Sequence, residues 1–251
     1  MAGKTKKGDI VKVSYTGRFE GDLIETTDAD VAKKEGAFNP KMPYSSVVVV
    51  VGEGHILPGL DNAMIEMESG DKKSFKLTPK DAFGERSFKM IKLVPSREFK
   101  KQKVNPFPGM VLEVEGRPAK IQSVSGGRVR VDFNHPLAGK EVEYELKLES
   151  VAGKEDEKVS FLIERAFKND DIKATISGAG EKKKITISVP KEIAENQLYQ
   201  VLTTIFKSEA EKFLGIKEVD FVVTGEEKPK ATKETATKVK APATTKKEDK
   251  E

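Results

Sequence analysis

Few side chains in this chain could act as nucleophiles or metal ligands. It has no cysteine and only two histidines, and no Gly-x-Ser-x-Gly turn to expose a serine nucleophile. His55 and His135 lie far apart, without a His-x-x-x-His pair, so no metal site is expected. His55 reads as a rim residue and His135 as a structural turn residue. The valine run Val47 to Val51 leads into a Gly52-x-Gly54 turn, as a phosphate-cradling turn would. The dinucleotide fingerprint needs a further glycine at 57, where this chain has Leu57 followed by Pro58. No βαβ rhythm follows, so no cofactor is expected. What remains is the chemistry of an apolar surface, carried by residues 47–84: VVVVVGEGHILPGLDNAMIEMESGDKKSFKLTPKDAFG.

The elements that would position that surface are legible by period. Val11, Val13 and Tyr15 alternate, with Gly21-Asp22 turning into Leu23-Ile24-Glu25, which predicts two paired strands. A loop of residues 27–46 is expected before the valine strand. Pro58 suits the first turn of a short helix bearing Leu60, Met64 and Met67, with Gly70 as its left-handed stop. Residues 72–78 return as a strand. About fifty residues then precede the next clear alternation, Val142, Tyr144, Leu146 and Leu148. Between them lie a strand at 90–95, a helical turn at 96–100, a strand at 110–114, and hairpin arms 119–124 and 128–133 around Ser125-Gly126-Gly127.

Together these residues resemble an FKBP-type peptidyl-prolyl isomerase. The likeness rests on the Tyr15-Thr16-Gly17 strand end, the Ile56-Leu57-Pro58-Gly59 step and the Asp81-Ala82-Phe83-Gly84 turn. The segment ending Asn134-His135-Pro136-Leu137-Ala138-Gly139 resembles the insert-in-flap domain of SlyD-type and archaeal long-type members. The resemblance implies an α+β fold: an antiparallel half-barrel sheet wrapped on a short helix, and a small mostly-β insert. It implies a prolyl pocket of Tyr15, Ile24, Glu25, Val47, Val49, Ile56, Leu57, Leu60, Phe83 and Tyr144, in which the Ile56 backbone N–H receives the substrate carbonyl. Tyr15, Val49, Leu60 and Tyr144 would form its floor and walls. Client contacts in the insert would fall to Met90, Ile91, Val94, Phe99, Phe107, Met110 and Phe133. Several positions depart from the family pattern. Glu25 stands for the usual Asp, Ile24 for the preceding aromatic, Phe83 for a ligand-bonding Tyr, and Leu60 for the Trp of many eukaryotic members. The metal-binding tail common in SlyD relatives is missing.

No nucleophile is needed for such chemistry. The rotational barrier of an ordinary peptide bond, ~18–20 kcal/mol, comes from amide resonance. A dry apolar pocket holding the prolyl ring, with one N–H on the carbonyl, favours the twisted amide. A factor of ~10³–10⁵ asks for only ~4–7 kcal/mol.

Residues 154–225 predict a third, α-β-β-α-β unit. Its last helix carries Leu198, Val201, Leu202, Ile205, Phe206, Ala210, Phe213 and Leu214, with Gly215 as its stop. That stripe needs a partner surface, which the unit's own three strands can supply; being wider than they comfortably cover, it also suggests a homodimer or client contact. The expected division is 1–86 plus 138–152 for the isomerase, 87–137 for the insert, 153–225 for the third unit, and a disordered 226–251 tail. The 251 residues carry a net charge of only +4, which gives no strong pull toward nucleic acid. No apolar run approaches a membrane span, and the first residues lack a signal peptide's apolar core. A cytoplasmic protein is therefore expected, and abundant Lys and Glu without Cys would suit a thermophile. The expected partners are unfolded or proline-containing polypeptides, not nucleic acid or membrane. A pure holdase, with a decayed pocket, is the alternative that Glu25 and Phe83 allow. A nucleic-acid tether through the Lys-rich ends has little support, since eight lysines of residues 226–251 face six acids.

Overall fold

The computed structural model describes residues 3–224 except 115, 170 and 171; the expected tail lies outside these described residues. The first sheet has strand order β2 (Asp22–Thr26), β1 (Ile10–Phe19), β9 (Val142–Val151) and β4 (Lys72–Leu77), with β3 (Val47–Val50) also pairing β1. Every pairing in it is antiparallel. Helix α2 (Pro58–Met64) packs on one face, where Leu60 and Met64 join Val11, Val13, Val49, Tyr144, Leu146 and Leu148 in one core. The mixed architecture with antiparallel sheets fits the expected fold class.

The unbroken valine run has a structural reason. Val49 and Val51 point to the α2 side, while Val48 and Val50, with Ile10, are buried in a second core on the opposite face. A strand covered on both faces gains nothing from alternation, and β-branched residues suit it throughout. The cover on that second face is the C-terminal unit: α4 (Glu155–Phe167), β10 (Lys173–Ser177), β11 (Lys184–Pro190), α5 (Lys191–Ala194), α6 (Tyr199–Glu209) and β12 (Glu218–Thr224). Its sheet runs β10-β11-β12, antiparallel then parallel. Val159, Leu162, Ile163 and Phe206 share their core with Ile10, Val48 and Val50. The core of the third unit is therefore continuous with the outer face of β1 and β3. Arg165 of α4 strengthens the join. Its Nε lies 2.9 Å from the Glu209 carboxylate and its Nη1 donates to the Val48 carbonyl at 3.3 Å.

Several local expectations change. The segment 27–46 is not all loop: Asp28 caps α1 (Ala29–Lys34), its carboxylate accepting the Asp30 and Val31 N–H groups. Helix α2 ends at Met64, well before Gly70, because the N-terminal segment clamps it there. The buried Thr5 hydroxyl donates to the Met64 carbonyl and to the Met67 carbonyl, and Glu66 adopts a positive φ of 65°. Met67 is buried, but off the helix. The last helix is shorter than its stripe, since α6 stops at Glu209 and Ala210–Leu214 form a π-helical turn; Gly215 does close it in the left-handed region, at φ 70°. A surplus apolar face does exist: Leu198, Val201 and Ile205 are exposed.

The insert forms its own four-stranded sheet, β5 (Ile91–Pro95), β8 (Arg128–Asp132), β7 (Arg117–Ser125) and β6 (Val111–Val114), with α3 (Ser96–Lys101) against it. Its core is Phe99, Ala119, Ile121, Val129 and Val131.

Candidate active site

Strand β1 delivers Tyr15 and β9 delivers Tyr144 to the face that α2 covers, so their rings meet at 6.3 Å between centroids, tilted by 53°. The close approach of the two strands depends on Gly17, paired opposite Tyr144. A Cβ there would sit 2.6 Å from the Tyr144 ring. Leu60, Val49 and Tyr144 form a buried floor. Around it Tyr15, Ile24, Val47, Ile56, Leu57 and Phe83 are partly buried and pack on the same core. Nine of the ten residues suggested by the resemblance belong to this core or pack against it, and the tenth, Glu25, accepts the Tyr144 hydroxyl at 2.6 Å.

The electrostatics of this dish keep it neutral in its donors. Burial, and then the Glu25 hydrogen bond, push the Tyr144 hydroxyl well above the usual phenol range. Burial, followed by the Glu25 charge, raises Tyr15 as well. Both remain O–H donors at any physiological pH. The Tyr144 proton is committed to Glu25, whereas the Tyr15 hydroxyl makes no hydrogen bond to a described residue. The backbone N–H groups of Ile56 and Leu57 likewise find no acceptor among the described residues. Leu57 precedes α2, whose first N–H groups point out of the helix, and Pro58 has none to offer. The Tyr15 hydroxyl and the Ile56 and Leu57 N–H groups are thus donors without an acceptor among the described residues, on residues that pack against the core containing Leu60. No described group of three or more His, Cys, Asp or Glu could hold a metal ion.

Phe83 sits at the far rim and stacks flat on His135, centroids 4.4 Å apart and planes 4° apart. His135 is thus a stem residue that braces the rim, in keeping with its turn assignment. His55 is not a free rim residue. Its Nδ1 accepts the Val50 N–H at 3.2 Å and its ring meets Phe213 of the C-terminal unit edge-on at 6.4 Å. Burial, then the Arg165 charge, lowers its basicity.

The insert joins through a polar neck that no sequence pattern announced. Asp132 accepts from Arg86, from Gln122 at 2.8 Å, and from the Asn134 backbone and side chain at 2.9 and 2.6 Å. Burial alone would raise its pKa, but these donors outweigh it and hold it down at about 2. Since the folded value lies below the ordinary 3.8, the neck's contribution to stability is complete above that range and is lost as pH falls toward 2. Acid titration followed by amide exchange should therefore show residues 85–90 and 132–137 losing protection below about pH 3. Asp132→Asn should remove that acid sensitivity and weaken the neck at neutral pH.

The suggested client residues divide. Phe107 is exposed, Met90, Ile91, Val94, Met110 and Phe133 are half-buried, and Phe99 is only 5% exposed. Phe99 is a core residue of the insert, correcting its assignment to a client-facing role, because α3 folds it onto Ile121 and Val129. The open apolar surface also includes Phe88, Leu93 and Val111. For Leu93 and Val111, a strand pattern gives no sign of which face lacks cover; Phe88 lies in a 3-10 turn, Phe88–Met90, outside any strand pattern.

A small antiparallel sheet packed on a short helix, with a separate four-stranded insert between β4 and β9, defines the class. Residues 2–100 match the family described as FKBP-type peptidyl-prolyl cis-trans isomerase, and residues 92–137 match that described as FKBP26, IF domain. The chain is 36% identical over 157 residues to a short-type peptidyl-prolyl cis-trans isomerase of Methanocaldococcus jannaschii, spanning 62% of this chain and 100% of that protein. It is 29% identical over 167 residues to the FKBP-type isomerase SlyD of Treponema pallidum, covering 62% of this chain and 83% of the relative. It is 31% identical over 102 residues to an FKBP-type 16 kDa isomerase of Escherichia coli, 39% and 68% of the two chains. The chain belongs to the FKBP-type peptidyl-prolyl cis-trans isomerase family, with an insert-in-flap domain, and is an enzyme of that class.

Proposed function

We propose that the protein accelerates cis-trans isomerisation of X-Pro bonds in polypeptides that its insert holds beside the pocket. The observation that carries this reading is the shared core: Tyr15, Ile24, Val47, Ile56, Leu57 and Phe83, all partly exposed, pack against the cluster that contains the buried Leu60 and Tyr144. The prolyl ring enters the apolar floor and loses the water that favours the planar amide. The carbonyl before the proline takes a hydrogen bond from the Ile56 N–H, with the Leu57 N–H and the Tyr15 hydroxyl in reserve. Glu25 acts by fixing the Tyr144 ring rather than by moving a proton. The exposed Phe88, Leu93 and Phe107 then hold extended client segments, as the likeness to SlyD supports. A homodimer through the exposed face of α6 is a further part of this reading, as are the domain limits 1–86 plus 138–152, 87–137 and 153–225. No helix among the described residues is long and apolar enough to cross a membrane.

Replacing residues 87–137 by a short flap tests the division of labour. Activity on a short X-Pro peptide, followed in a protease-free assay, should survive largely intact. Catalysis of a proline-limited refolding reaction should fall at least about tenfold, as the second site's effective concentration is lost. Equal loss on both substrates would mean that the insert shapes the pocket instead.

A further inference from the structure

A cleft of ≈ 600 Å³ lies at the base of the insert, lined on one side by residues of β6 and β7 and on the other by Arg86 and residues of the 132–140 segment that leads to β9. It adjoins the prolyl pocket, because His135 forms part of its wall and stacks on the rim residue Phe83. Its volume falls within the roughly 300–1,000 Å³ of small-ligand clefts. Phe133, Pro118, Pro136 and the exposed Val111 give it apolar surface.

The charge of the lining is one-sided. Arg86, Arg117, Lys120 and Lys140 face one carboxylate, Asp132, which Arg86 already occupies. Arg117, Lys120 and Lys140 form no ion pair with a described residue; Arg117 lies over the Phe133 ring at 5.9 Å and Lys140 over Phe19 at 4.1 Å. Neither contact neutralises its cation. Three cations without an ion pair among the described residues, beside apolar surface, complement an acidic stretch that also carries apolar side chains.

We infer that this cleft binds an acidic, apolar-bearing segment of the same polypeptide whose proline occupies the pocket, so that the isomerase selects clients by the charge flanking their prolines. The inference rests on the isomerase reading for its effect on turnover. A segment held there is tethered next to the reacting bond, and its attraction to the cations raises capture of the client before catalysis.

Three peptides test it on the full-length protein: a blocked tetrapeptide with one X-Pro bond, and two longer peptides with the same core flanked by Glu/Leu or by Lys/Leu segments. Each kcat/KM is referred to the tetrapeptide value of the same protein variant. At low salt the acidic peptide should exceed the basic one by about five- to tenfold, the sum of several weak exposed pairs. The ratio should fall toward one near 1 M salt, where the screening length is about 3 Å. A Lys120→Glu/Lys140→Glu variant should reverse it, and Lys120→Gln/Lys140→Gln should abolish it. Equal rates in the unaltered protein, or a preference untouched by both variants, would overturn the inference. Failure to turn over the tetrapeptide would instead count against the isomerase reading. Tighter anisotropy-measured binding of the acidic peptide, lost in the variants, would then still uphold the cleft, and equal affinities would reject it.

Discussion

Tyr15→Ala is expected to lower kcat/KM on a short X-Pro peptide by at least about tenfold, which corresponds to about 1.4 kcal/mol of lost transition-state stabilisation. Tyr15 lies at the edge of the core, and its hydroxyl donates to no described residue, so most of the loss should appear in catalysis. Tyr144 needs a gentler variant. It is 1% exposed, and Tyr144→Ala would open a cavity costing about 3–5 kcal/mol. Tyr144→Phe keeps the ring but leaves the Glu25 carboxylate without its O–H donor. It should reduce activity by several-fold while the urea midpoint shifts little. Folded variants with unaltered turnover would show that the pocket lies elsewhere.

Removal of the C-terminal unit should have the largest effect on stability. Truncation after Val151 strips the cover from Ile10, Val48 and Val50, three fully buried aliphatics on the two adjoining strands β1 and β3. Each is worth about 1.5–3 kcal/mol of burial, which together rivals the whole stability of a small domain. The shortened protein should be aggregation-prone or unfolded at moderate temperature, although residues 1–151 contain all ten residues of the proposed pocket. Arg165→Ala is a milder version. It leaves the Glu209 carboxylate, one oxygen of which is already buried without a partner, lacking its cation. A cost of about 2 kcal/mol or more is expected, read as a lower chemical-denaturation midpoint. A truncated chain with unchanged stability would mean that this shared core adds nothing.

Much of this arrangement was readable from period and punctuation. The alternation of Val142, Tyr144, Leu146 and Leu148 placed β9, and Gly126-Gly127 placed the insert's hairpin, because these signals are local. The proposed pocket rests on an ordered set of residues, since each of its apolar members taken singly is indistinguishable from core. What escaped was made by distant partners. Arg165 meets a carboxylate 44 positions away, and Arg86 meets Asp132 across the whole insert. Gly70 misled because a tertiary clamp by Thr5, not a local turn, ends α2. The valine run concealed the cover on its second face, because a strand buried on both sides looks the same whichever unit covers it.

The position of β9 has a consequence for synthesis on the ribosome. It lies between β1 and β4 in the first sheet, yet follows the insert in the chain. The insert's strand pairings all fall within residues 91–132, so it can close as soon as those residues have emerged. The sheet that carries Tyr15 must wait for Val142–Val151 before its two halves are bridged, and for α4 before its second face is covered. Each newly made molecule therefore completes its insert before it has a working isomerase, and its own unfinished strands are the first unfolded chain within that insert's reach.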